Sequence, residues 1–108
     1  MSDYQLWHVT YRYETPGDFP RKPASDSYFL IAQNPAEART KADILFRHES
    51  GFKRDLLKTG GVERNIRPYS APLNPPKLSV PSDKSVFTIT PAIKDGRLEF
   101  LVKKHEGK

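Results

Sequence analysis

Ten residues near the start of the chain, Tyr4-Gln5-Leu6-Trp7-His8-Val9-Thr10-Tyr11-Arg12-Tyr13, alternate in a way that only a strand satisfies. Period two puts Trp7, Val9, Tyr11 and Tyr13 on one face and Leu6, His8, Thr10 and Arg12 on the other. The single Trp and three of the five Tyr fall here, so whatever covers this stripe supplies much of the stability. Two readings follow. The stripe is one wall of a core, as most aromatic stripes are, or Trp7, Tyr11 and Tyr13 form a platform on which nucleobases stack.

The rest of the chain bounds the fold class. A length of 108 residues makes one domain with one modest core, and 36% hydrophobic residues suit a sheet with one covered face. After the first strand, Thr15 to Asp26 holds three prolines and a glycine and reads as a loop. Ser27 to Ala32 reads as a second strand, apolar on both faces and therefore central. Asn34-Pro35-Ala36-Glu37 is a helix start, with Asn34 as N-cap and Glu37 in capping-box position. That helix is expected to run to about Ser50, with Gly51 just past its end. Ala38, Ala42, Leu45 and Phe46 share its apolar face. The pairs Glu37/Lys41 and Arg39/Asp43 read as a solvated, charge-laced face.

Phe52 to Lys58 predicts a short second helix with Leu56 and Leu57 turned inward, stopped by Thr59-Gly60-Gly61. Val62 to Arg67 predicts a third strand limited by Pro68. Residues 71–84 form a proline-rich, extended connector. Residues 85–104 predict a β-hairpin turning at Asp95-Gly96, a pair that accepts positive φ. The expected architecture is a single α+β domain over 1–108. It has a small antiparallel sheet, one main helix on one face and a C-terminal hairpin.

Several chemistries lack their residues. The chain has no Cys, which removes disulfides, thiolate nucleophiles and Cys-based zinc sites. Glycine fingerprints for nucleotides, a His-Glu-x-x-His helix and a nucleophile elbow do not occur. His8, His48 and His105 are scattered, with no carboxylate at ligand spacing. Ser50-Gly51-Phe52-Lys53 and Lys58-Thr59-Gly60 match short pieces of the penicillin-binding signature. They nearly touch in sequence, and Ser50 closes a helix where that family's serine opens one. No catalytic residue, metal or cofactor is assigned. The N-terminus shows no basic and apolar leader pattern, and no apolar run approaches the roughly 20 residues of a membrane span. The expectation is a cytoplasmic protein with no membrane contact.

Charge gives the functional lead. Lys plus Arg number 18 against 13 acids. From Arg39 to Arg67 there are eight bases and four acids, a local balance of +4. Arg39, Lys53, Arg54, Lys58, Arg64 and Arg67 are the candidate phosphate contacts, with Lys53, Arg54 and Lys58 on one side of the short helix. The order of strand, proline-containing loop, strand and Ala-rich helix over roughly residues 4–67 is similar to small ribosomal proteins. That similarity carries no diagnostic motif and transfers no residue role. The basic-Gly-aromatic motif of RNA-recognition modules is absent. The expected function is non-catalytic binding to nucleic acid or a ribonucleoprotein. The alternative is a protein-binding adaptor or inhibitor, of the sort phages and mobile elements encode, working through the proline segments or the hairpin edge.

Overall fold

A computed structural model describes residues 4–15, 22–69, 77–80 and 82–105. The fold is α+β. β1 (Gln5–Glu14), β2 (Pro23–Ala32) and β3 (Glu63–Pro68) form a three-stranded sheet in the order β2-β1-β3, with both neighbours antiparallel to β1. Between β2 and β3 run α1 (Pro35–Glu49) and α2 (Gly51–Thr59). A single turn, α3 (Asp83–Val86), leads into a separate hairpin of β4 (Phe87–Lys94) and β5 (Arg97–Lys104).

β1 is central, which corrects the placement of β2. The chain leaves β2, crosses over β1 through the two helices and returns as β3 on the far side. β2 is therefore an edge strand, and its two apolar faces have another cause. On one face Tyr28, Leu30 and Ala32 join Trp7, Val9 and Tyr11 beneath Ala38, Ala42 and Phe46 of α1. On the other, Ile31 joins Leu6, Leu78 and Phe87 in a second cluster under the hairpin. Layers above and below bury the strand, not flanking strands. Its outer edge is shielded at two points: the Phe29 N–H donates to Ser79 Oγ at 2.9 Å and the Ser79 N–H to the Phe29 carbonyl at 3.0 Å, and Lys41 Nζ donates to the Ile31 carbonyl at 2.8 Å.

β2 also begins earlier than expected, at Pro23. The ladder pairs Tyr13 with Ala24 and Glu14 with Pro23, so residues 23–26 belong to a strand. Proline is tolerated there because a strand's first residue can do without a donor. Pro16 to Arg21 of the expected loop, and residues 71–76 and 81 of the expected proline-rich connector, lie outside the described residues. Asp83 and Lys84, at the connector's end, are helical.

The Asn34 side chain accepts the Glu37 N–H at 2.8 Å and caps α1, while Glu37 Oε2 accepts from the Gln33 N–H at 3.2 Å. Asn34→Ala is expected to lower stability by about 1 kcal/mol, read as a shifted urea midpoint; an unchanged midpoint would count against the cap. Ser50, in extended conformation, ends α1 and begins α2, its hydroxyl accepting from the Lys53 N–H at 3.2 Å. Gly51 is thus the first residue of α2 and not the end of α1. The left-handed stop falls at Gly60 (φ 78°), whose N–H donates to the Leu56 carbonyl at 3.0 Å. The elbow at Ser50 turns α2 so that Leu56 and Leu57 pack on the main core. No helix among the described residues is long and apolar enough to cross a membrane.

Candidate nucleic-acid interface

The aromatic stripe is core at its centre. Tyr11 and Val9 are fully buried and Trp7 is 6% exposed. Phe46 of α1 stacks on the Tyr11 ring at 4.4 Å between centroids. The helix therefore occupies the space a base would need over Trp7 or Tyr11. Tyr13, half-buried, meets Phe46 and Phe52 edge-on.

Around this core runs a polar seam that decides which cations are free. Three tyrosine hydroxyls each donate to a carboxylate: Tyr11 to Asp43 at 2.5 Å, Tyr13 to Asp26 at 2.9 Å, and Tyr28 to Glu49. Burial first, and then these carboxylates, push all three phenols above the ordinary tyrosine range, so they stay protonated donors. Arg64 on β3 clamps Asp43 from Nε at 2.8 Å and from Nη2 at 3.1 Å, and its guanidinium lies over the Tyr11 ring. Lys53 on α2 reaches Asp26 at 2.6 Å and Glu49 at 3.0 Å, with its ammonium over the Tyr13 and Phe46 rings. Burial alone would lower both bases. The hydrogen bonds to their carboxylates outweigh it and hold both above their ordinary values.

This seam splits the expected basic cluster. Lys53 and Arg64 are internal struts, with side chains 17% and 21% exposed. Asp43 is likewise drawn into the sheet, so the solvated-face reading of the Arg39/Asp43 pair holds only for Arg39, 58% exposed and 3.9 Å from that carboxylate. Arg67 is exposed on β3 but lies on the sheet face away from α1, across the ladder from His8. Burial and then Arg67 lower the His8 imidazole from its ordinary value. Arg12 shares that face. A hollow of about 230 Å³ there is lined by Thr10, Arg12, Glu63, Arg64 and Asn65.

Arg54 and Lys58 remain together. They are exposed, and with Arg47 and Leu57 they line an open groove of about 370 Å³ at the α1–α2 elbow. Among the described residues none of the three cations has a carboxylate within 4 Å. Arg47 was not among the expected contacts. It sits in the last turn of α1, seven and eleven residues before Arg54 and Lys58, and the break between α1 and α2 at Ser50 separates it from them in a helix-by-helix reading.

The groove offers cations on a partly apolar floor and no nucleophile or paired acid and base. It can hold phosphates by charge and by the guanidinium fork. Comparison of the chain with family models, with curated proteins and with solved structures finds no match in any of the three.

Proposed function

We propose that this is a small non-catalytic binding protein that docks on nucleic acid, alone or within a ribonucleoprotein, through the α1–α2 elbow. The carrying observation is the convergence of Arg47, Arg54 and Lys58 on one open groove while the neighbouring Lys53 is neutralised by Asp26 and Glu49. Cations left without carboxylates keep their charge for an outside polyanion. Arg39, also on α1, stands 3.9 Å from Asp43 and does not line the groove, and Arg67 belongs to another face. The site of action is the cytoplasm, where a chain without cysteines loses nothing to the reducing environment.

Three phosphate contacts predict a log–log salt slope of about −2.7 on duplex DNA and about −2.1 on single strands. Duplex affinity should then fall about 40-fold between about 50 and 200 mM salt. Fluorescence anisotropy of a labelled oligonucleotide, titrated across that range, reads the slope directly. Salt-insensitive binding, or no binding at low salt, overturns the proposal. The second reading, a protein-binding adaptor, is favoured by one observation: among the described residues the β5 edge of the C-terminal hairpin pairs with no further strand.

A further inference from the structure

The hairpin has two outer edges, and they differ. Asp95 and Gly96 both have positive φ (54° and 76°), the two-residue turn that matches strand twist. Register pairs Thr90 with Leu101 and Ala92 with Glu99. The ladder continues at its open end, where the His105 N–H donates to the Val86 carbonyl at 2.7 Å. That bond fixes the phase, because hydrogen-bonded pairs alternate along an antiparallel ladder. Val86/His105, Thr88/Lys103, Thr90/Leu101 and Ala92/Glu99 are bonded pairs. The residues between them turn their backbone groups outward: Phe87, Ile89, Pro91 and Ile93 on β4, and Leu98, Phe100, Val102 and Lys104 on β5.

Pro91 therefore falls on the outward set of β4, where its missing N–H interrupts any further pairing. β5 carries no such block. Among the described residues, its four outward amides and carbonyls have no hydrogen-bond partner. Beside that edge Leu101 is 56% exposed, with exposed Glu99 and Lys103 flanking it on the same face.

We infer that the β5 edge pairs with β5 of a second copy of this chain, antiparallel and two-fold symmetric about Leu101. The occupant is identified by charge complementarity. Centring on Leu101 puts Glu99 of each copy opposite Lys103 of the other, giving two cross-strand ion pairs around a Leu101–Leu101 contact. It also puts Phe100 opposite Val102, and both have the outward phase that a bonded pair needs. Sliding the register by two residues either way sets Glu99 or Lys103 against Leu101 and loses both ion pairs. The product is one four-stranded sheet in place of two marginal two-stranded ones.

Light scattering or sedimentation of the full chain across the micromolar range tests this. The wild type is expected to dimerise with rising concentration. Glu99→Lys alone, or Lys103→Glu alone, sets like charges opposite twice and should weaken dimerisation about tenfold. The double variant E99K/K103E restores both pairs with reversed polarity and should recover wild-type association. Mixing the two single variants should give a heterodimer. Both positions are exposed, so folding is left intact and circular dichroism confirms it. A wild type that stays monomeric overturns the inference, as does a dimer indifferent to the single reversals or a double variant that does not recover. Capture of another protein's strand by a monomeric chain overturns it too. None of these readouts involves nucleic acid, so the inference stands or falls apart from the elbow.

Discussion

Replacing Trp7 by alanine should cost about 3–5 kcal/mol, a large part of the stability of a domain this size. Trp7 is 6% exposed and belongs to the cluster beneath α1. Its indole N–H donates to the Ala32 carbonyl at 3.0 Å, so truncation both leaves a cavity and removes that hydrogen bond. A steady loss of urea midpoint at unchanged slope is the expected result. Wild-type tryptophan emission should be blue-shifted and resistant to aqueous quenchers. Near-native stability of the variant with red-shifted wild-type emission would return the stripe to the stacking-platform reading.

The second large effect is expected at Lys53, and it separates two neighbours in sequence. Lys53→Glu removes two charge-assisted bonds and places a third carboxylate between Asp26 and Glu49. The loss should reach about 3 kcal/mol or more. Arg54→Glu, one residue on, changes an exposed side chain without a carboxylate partner among the described residues and should stay within about 0.5 kcal/mol. Because its carboxylates hold the Lys53 ammonium above the ordinary lysine range, the wild-type contribution is full below the unfolded pKa. It is lost only as pH rises through the folded value, in strong alkali. Equal stability of the two variants, by thermal or urea denaturation, would contradict the seam.

What could be read before the fold was local in origin. The Trp7–Tyr13 alternation, the Asn34 cap, the alanines of α1 and the Asp95-Gly96 turn each act within a few residues, where spacing and capping chemistry suffice. The Ser50–Gly51 junction and the helical turn at Asp83–Lys84 are local departures, whereas the placement of β2 and the pairing of Lys53 and Arg64 depend on partners distant in sequence. β2 looked central because both its faces are apolar; a crossover and a second cluster containing Leu78 and Phe87 explain that instead. Lys53 and Arg64 looked like free cations because Asp26, Glu49 and Asp43 reach them only across the helix–sheet seam. Charge counting over a window cannot tell a neutralised base from an available one. Arg47 stands seven and eleven residues before Arg54 and Lys58, one helical face, but the helix end at Ser50 divides that face between two helices.

The central claim is that the elbow cations, and not the seam cations, meet the polyanion. The salt dependence of oligonucleotide binding by the Arg54→Glu/Lys58→Glu variant tests it most directly. Two lost contacts should make the duplex slope shallower by about 1.8, from about −2.7 to about −0.9, with the denaturation midpoint unmoved. A slope that stays at the wild-type value in a folded double variant would contradict it.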